Sequence, residues 1–181
     1  MRTLYQFPLS HFCEKARWLL DHKELDYVAH NLIPGVHRAF TRLKTGQNKL
    51  PILKDAERWI VGSTDIALHL DEYYPEHRLL PADESLRQHA LQMDALANEM
   101  GRHVRRWVLA HALQGSDESV EILIGEKGYM RQFDKYTRPL IKKLVSTGYQ
   151  LKSDKVAASK AELDAMIPKL NAQLIDNKGG Y

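Results

Sequence analysis

The sequence lacks several features that define other classes of protein. It contains a single cysteine, Cys13, so no disulfide can form within the chain, and this fits a reducing compartment. No apolar run reaches the roughly 18 residues that a membrane-spanning helix needs, and no apolar signal segment precedes Pro8. We therefore expect a cytoplasmic protein with no membrane partner.

The sequence also has little net charge and no obvious metal-binding pattern. The formal charge is only +3, and the densest basic cluster is Arg102, Arg105 and Arg106. Arginines at this spacing usually form a solvated helix face, whereas a nucleic-acid surface needs more charge on one side. The nine histidines form no pair four residues apart. We expect neither nucleic acid nor a metal ion as a partner.

The first 73 residues contain strand and helix patterns in alternation. Apolar runs predict strands at residues 4–7, 25–32, 51–54 and 59–61. Helical spacing of apolar residues predicts helices that begin after Ser10, at Val36 and at Ser63, with the two serines as N-caps. The predicted order is strand, helix, strand, helix, strand, strand, helix.

The second half of the sequence is helical in pattern. Residues 74–83 carry two prolines and few periodic apolar residues, which is typical of a linker. Apolar residues then repeat at three and four over 86–108, 133–144 and 163–174, and each repeat predicts an amphipathic helix. We expect a kink at Pro139 and an end to the pattern at 179–180.

Three local motifs occur in the α/β half, at residues 10–17 (SHFCEKAR), 47–53 (QNKLPIL) and 62–70 (GSTDIALHL). In this order and spacing they resemble the glutathione-binding domain of the glutathione transferase superfamily. The resemblance implies a thioredoxin-like α/β domain over residues 1–80 and an all-helical domain over residues 84–181. It also implies that glutathione is the co-substrate of a transferase acting on an apolar electrophile.

The resemblance places Ser10 and Cys13 at the two positions of the thioredoxin-like active-site pair. The partial positive charge of a helix N-terminus favours a thiolate, and a hydroxyl there can donate to the sulfur. Lowering a thiol pKa by about two units takes roughly 2.7 kcal/mol, which a dipole and a charge-assisted hydrogen bond can largely supply. Ser10 is thus the predicted catalytic residue, and Cys13 is expected to be a small buried residue.

The resemblance also implies a set of glutathione-binding residues, namely Phe12, His37, Leu50, Pro51, Ser63 and Thr64. A cis bond before Pro51 would present the Leu50 backbone to the peptide, while an ordinary trans proline at a strand edge is the alternative. Ser63 would hold the γ-glutamyl carboxylate at a helix N-terminus, or serve only as a cap. His37 would lie near the glycyl carboxylate, or be solvated.

Two features depart from the family pattern. Gly62 stands where the family usually has an acidic residue that receives the glutathione amino group, so affinity would fall unless Asp65 or a partner subunit compensates. The chain also stops at Tyr181, with about half of the expected helices, so we expect a fragment or a short form with an incomplete electrophile pocket. Uncovered apolar helix faces favour a homodimer or a poorly soluble monomer.

Three functions remain open from the sequence. The first is a glutathione transferase that uses Ser10. The second is a non-catalytic glutathione-binding or protein-interaction module, which Gly62 and the short helical part suggest. The third is a thiol reductase that uses Cys13, although a serine at the first position cannot form the mixed disulfide.

Overall fold

A computed structural model of the chain describes residues 1–114 and 134–176, and its secondary structure follows the predicted order. The strands are β1 (Arg2–Gln6), β2 (Tyr27–Asn31), β3 (Ile52–Asp55) and β4 (Arg58–Val61). The helices are α1 (His11–His22), α2 (His37–Thr45), α3 (Ser63–Tyr73), α4 (Glu84–Gln114), α5 (Asp134–Gly148) and α6 (Ser153–Asp176). The predictions at residues 133 and 179–180 lie outside the described residues. None of the helices described is long and apolar enough to cross a membrane.

The four strands form one mixed sheet with the order β2-β1-β3-β4. Strands β1 and β2 are parallel, with Arg2 opposite Tyr27, and α1 makes the crossover between them. Strand β3 runs antiparallel to both β1 and β4. This sheet, followed by a large helical region, confirms the predicted thioredoxin-like α/β fold with helices after it.

The core of the α/β part lies between the sheet and helices α1 and α3. Leu4 and Leu53 are partners across β1 and β3, and both are fully buried. The buried helix residues that meet them are spaced four apart, which places each pair on one helix face: Ala16 and Leu20, Ile66 and Leu70. This packing fixes the N-termini of α1 and α3 relative to the sheet.

A buried lysine ties the segment after α3 to α1. The Lys23 side chain is fully buried, and its Nζ donates to the backbone oxygens of Tyr74 at 2.7 Å and Glu76 at 2.9 Å. It also forms an ion pair with Asp71 at 2.6 Å. All three donor positions of the ammonium group are therefore used.

Asp71 completes this attachment from the other side. Its carboxylate accepts the backbone N–H groups of Leu79 at 2.8 Å and Leu80 at 2.9 Å. Burial alone would raise the pKa of Asp71, but the hydrogen bonds from Leu79, Lys23 and Leu80 outweigh it and lower the pKa. Residues 74–80 are thus anchored on the α/β part, while the domain limits at residues 80 and 84 stay predictions.

Replacing Asp71 by Asn should lower the free energy of unfolding by about 2 kcal/mol near neutral pH, because charged hydrogen bonds to buried groups contribute about 1.5–3 kcal/mol. The carboxyl pKa is lower in the folded state, so the contribution is complete above about pH 4 and is lost as the pH falls through the folded pKa. Urea unfolding of both proteins at several pH values measures the difference, which should shrink in acid.

The matched control is Asp164→Asn, since Asp164 pairs with Lys160 on an exposed part of α6. That change should alter the free energy of unfolding by less than about 0.5 kcal/mol. Equal losses in the two variants would contradict a special role for Asp71.

Candidate functional site

A cleft of about 490 Å³ lies between the α/β part and helices α4 and α5. Six of the seven predicted site residues line it: Ser10, Phe12, His37, Leu50, Ser63 and Thr64. The seventh, Pro51, is fully buried beside Leu50, and the Leu50-Pro51 peptide bond is cis, as predicted. The structure therefore brings the predicted residues together, while the role of each stays a prediction.

Ser10 occupies the N-cap position of α1, as predicted. Its backbone is extended, with φ −83° and ψ 120°, and its carbonyl accepts the N–H of Glu14 at 2.8 Å. The hydroxyl makes no capping hydrogen bond to a backbone N–H of its helix, although it interacts with the Cys13 thiol one turn further along. The first N–H groups of a helix have no partner within it, so the first turn of α1 and the Ser10 hydroxyl together offer several donors at the cleft.

Cys13 lies one turn further along and is inaccessible, with an exposed fraction of 0%. Its Sγ accepts the backbone N–H of Phe7 at 3.4 Å. Burial raises the pKa of the thiol, and hydrogen bonds from Phe7 and Ser10 offset this only in part. The prediction of a small buried residue is confirmed, and a neutral buried thiol is unsuited to thiol exchange.

The N-terminus of α3 forms the opposite end of the predicted peptide site. Gly62, and not Ser63, is the N-cap, so the prediction for Ser63 is wrong by one position. The reason is the backbone of Gly62, whose φ of 101° favours glycine and starts the helix immediately after it. An acidic residue at position 62 would be strained in this conformation.

Donors from two segments converge near Gly62. Gly62 N–H donates to the carbonyl of Pro51 at 2.9 Å, which holds the two segments side by side. Among the described residues, the N–H groups of Ser63, Thr64 and Asp65 and the backbone polar groups of Leu50 have no hydrogen-bond partner. A helix N-terminus with free N–H groups suits a carboxylate.

A polar cluster joins this site to α4. Asp94 forms an ion pair with Lys15 of α1 and accepts the Thr64 hydroxyl at 2.5 Å. Asn98 donates to Asp94 and to the Thr64 hydroxyl, both at 3.0 Å. The Thr64 hydroxyl is therefore occupied by α4, and only the Thr64 backbone N–H remains for a ligand.

Gly101 of α4 permits close approach to the start of α1. A Cβ atom at this position would lie 2.7 Å from Nε2 of His11 and 3.3 Å from Cζ of Phe12. The missing side chain lets α4 form a wall of the cleft directly beside Phe12.

The arginine cluster on α4 corrects another expectation. Only Arg102 is well exposed, and it pairs with Glu99. The Arg105 guanidinium lies in the cleft, 5.3 Å from the ring centroid of Phe12 and 4.7 Å from that of Tyr149. The solvated face predicted for the cluster is therefore wrong for Arg105. Composition gave no signal for this, because the two rings are remote in sequence.

The predicted solvated face is also wrong for Arg106, which lies on the other side of α4. Its guanidinium donates to the carbonyl of Tyr149 at 3.1 Å and to the hydroxyl of Ser159 at 2.8 Å. Ser159 is 1% exposed and belongs to α6, so Arg106 joins α4 to α6 and to the turn after α5.

His37 is half-buried in the cleft. Its Nδ1 accepts the Gly35 N–H at 3.1 Å, and its ring lies edge-on to Phe7 with centroids 4.7 Å apart. Burial, and secondarily the Arg38 charge, lower the pKa of His37, and a hydrogen bond with the Ile33 backbone offsets them only in part. A neutral imidazole that accepts at Nδ1 carries its proton on Nε2, so His37 is a neutral donor, unlike the solvated histidine that was the alternative.

In the described part of the chain, no group of three His, Cys, Asp or Glu side chains is placed to hold a metal ion. The polar groups of the cleft are instead mostly donors, which suit an anionic organic ligand.

The sequence of residues 4–78 matches the glutathione S-transferase N-terminal domain family. No curated protein matches the chain. The fold is similar to a glutathione S-transferase from Sinorhizobium meliloti 1021 (23% identity, TM-score 0.53), over 75% of this chain and 65% of that one. It is also similar to the beta-etherase of Sphingobium sp. strain SYK-6 (18%, TM-score 0.64), over 96% and 73%.

A third similar structure is the glutathione S-transferase of Ceriporiopsis subvermispora in complex with glutathione (19% identity, TM-score 0.59), over 99% of this chain and 75% of that one. The chain thus has the fold of these glutathione S-transferases, and residues 4–78 are similar in sequence to the glutathione S-transferase N-terminal domain. It spans 65% to 75% of the length of these three proteins.

The His37 ring should titrate below the ordinary histidine pKa of about 6.5 and should be protonated on Nε2 when neutral, because it is partly buried and accepts a hydrogen bond at Nδ1. Long-range proton–nitrogen NMR, with His37→Phe to assign the resonance, measures both properties. A midpoint above about 6.5 or a proton on Nδ1 would contradict this geometry.

Proposed function

We propose that this chain binds glutathione in the cleft and is a glutathione transferase in which Ser10 stabilises the thiolate of bound glutathione. The observation that carries the proposal is the convergence of three donor sets on one cleft. These are the Ser10 hydroxyl with the first turn of α1, the Leu50 backbone, and the N-terminus of α3. Glutathione offers an acceptor to each set. Its thiolate suits the first set, its peptide backbone the second and a carboxylate the third.

Each part of the peptide has a counterpart in the cleft. The γ-glutamyl carboxylate would accept the N–H groups of Ser63 and Thr64. The cysteinyl backbone would pair with Leu50 as a short added strand. The glycyl carboxylate would accept the Nε2–H of His37, which is neutral and needs no charge partner. Phe12 would form the wall next to the sulfur.

The nucleophile would be the glutathione sulfur and not Ser10. The thiol loses its proton to solvent, and the resulting thiolate accepts the Ser10 hydroxyl and the N–H groups of the first turn of α1. The thiolate then forms a carbon–sulfur bond with the electrophile, whose leaving group departs with the bonding electron pair. The buried Cys13 takes no part in these steps.

Replacing Ser10 by Ala should reduce kcat about 10- to 100-fold, because one charge-assisted hydrogen bond of about 1.5–3 kcal/mol to the thiolate is lost. Glutathione affinity should change by less than about threefold, since the peptide contacts remain. Calorimetric titration, thiolate absorbance and conjugation kinetics measure these effects. Equal losses of affinity and turnover would count against the assigned role.

Cys13→Ala is the matched control, one helical turn away in the same motif. It should retain glutathione conjugation within about threefold in the folded protein, because the thiol is buried and neutral. If Cys13→Ala instead abolished reduction of a mixed disulfide while Ser10→Ala left it intact, the protein would be a thiol reductase.

The glutathione amino group needs an acceptor that Gly62 cannot supply. Asp65 lines the cleft, is exposed, and lies in the first turn of α3 close to the proposed carboxylate site. We assign Asp65 as the partner of the γ-glutamyl ammonium. Its exposure to water limits the strength of this pair.

Asp65→Asn should weaken glutathione binding about three- to tenfold, because an exposed ion pair is removed. Glutaryl-cysteinyl-glycine, which is glutathione without the amino group, should bind both proteins with similar affinity. Calorimetric titration of the two ligands into the two proteins completes a double-mutant cycle. Equal losses for both ligands would show that Asp65 does not contact the amino group.

A non-catalytic module is the second candidate, because Gly62 removes one contact with glutathione that the family pattern provides. It predicts glutathione binding without conjugation of any electrophile tested. Detectable turnover that depends on Ser10 decides for the transferase.

We also propose that the protein is a cytoplasmic homodimer. Leu86 and Val108 of α4 are 59% and 45% exposed, which leaves apolar surface on this helix for a second subunit. Sedimentation measurements on the purified chain test the oligomeric state.

A further inference from the structure

Arg105 is a cation in the cleft that has no anionic partner among the described residues. It projects from α4 and is half-buried, and its guanidinium lies beside the rings of Phe12 and Tyr149. None of the carboxylates in the described ranges forms an ion pair with it. A partly buried charge normally has a partner, because desolvation is costly.

The two neighbouring arginines have hydrogen-bonding or ionic partners, whereas Arg105 has no anionic partner among the described residues. Arg102 is paired with Glu99, and Arg106 is hydrogen-bonded to Tyr149 and Ser159. Burial lowers the pKa of Arg105, and the charges of Arg106 and Arg102 act in the same direction. Arg105 remains protonated at neutral pH, so its charge is available to a ligand.

Arg105 belongs to a different element from the proposed peptide contacts. Those contacts come from Leu50, His37 and the N-terminus of α3, whereas Arg105 is on α4 beside Phe12. The adjoining surface of α5 is apolar and is provided by Leu144 and Val145. This part of the cleft therefore combines an apolar wall with one cation that lies close to two rings.

We propose that the electrophile conjugated in this cleft carries a carboxylate on an apolar, preferably aromatic, body, and that Arg105 pairs with this carboxylate. The inference rests on the proposed function. The sequence resemblance predicted only an apolar electrophile, and this inference adds a carboxylate to it. The guanidinium lies close to two aromatic rings, and its planar fork can make two parallel hydrogen bonds to a carboxylate. Phe12, Leu144 and Val145 would contact the body of the substrate.

The test uses conjugates of glutathione that differ by one carboxylate, so it does not depend on turnover. Glutathione, S-benzylglutathione and S-(4-carboxybenzyl)glutathione are titrated into the unaltered chain and into Arg105→Met. We expect the unaltered chain to bind the carboxybenzyl conjugate about tenfold more tightly than the benzyl conjugate. Arg105→Met should abolish this preference and leave the affinities for glutathione and the benzyl conjugate within about twofold.

Two further variants control for folding and for charge. Arg58→Met removes another arginine that stacks on a ring, 4.1 Å from Tyr73 and outside the cleft, and should keep the full preference. Arg105→Lys keeps the charge without the planar fork and should keep part of the preference. High salt should reduce the preference in the unaltered chain.

Each other outcome has a distinct meaning. Equal loss of all three ligands in Arg105→Met would overturn the inference, because Arg105 would then bind a carboxylate of glutathione itself or support the fold. A chain that binds glutathione but shows no preference between the two conjugates also overturns it and leaves the proposed function intact. A chain that binds none of the three ligands overturns the proposed function and this inference with it.

Discussion

The cleft depends on the contacts that the carboxylate of Asp94 makes with neighbouring helices. It lies on α4, accepts Lys15 from α1 and Thr64 from α3, and is braced by Asn98 on its own helix. Burial would raise the pKa of Asp94, but the hydrogen bonds from Lys15, Thr64 and Asn98 and the Lys15 charge lower it. A charged group thus fixes the helical wall at the two helix N-termini that carry the proposed glutathione contacts.

Two consequences follow from this attachment along α4. Two turns beyond Asp94, Gly101 lets α4 approach His11 and Phe12 closely. One further turn brings Arg105 to the rings of Phe12 and Tyr149. The register that Asp94 sets therefore determines which α4 side chain reaches the cleft. The helix N-termini on one side and a guanidinium on the other give a cleft whose potential favours anions.

The order of elements could be predicted because each pattern is local: short apolar runs in β1 and β3, helical spacing in α1 and α3, and prolines in the linker. Ser10 and Leu50 could be predicted to line the cleft because they lie in short motifs at element ends, and His37 because it lies on the helix after the second strand. Asp94 and Arg105 could not, because their partners on other elements are distant in the sequence and a helical pattern does not show which polar residue faces a neighbour. The cap was predicted at Ser63 instead of Gly62 because a sequence does not reveal the positive φ of Gly62.

The contrast between Ser10 and Cys13 bears on the kind of chemistry that the cleft can support. In this α1 motif the only thiol of the chain is buried and neutral, and the position at the cleft carries a hydroxyl. A hydroxyl at a helix N-terminus is a good donor to an anion but a weak nucleophile at neutral pH, because no adjacent base in the described part of the cleft activates it. The arrangement therefore favours a reaction in which the ligand brings the sulfur and the protein supplies donors.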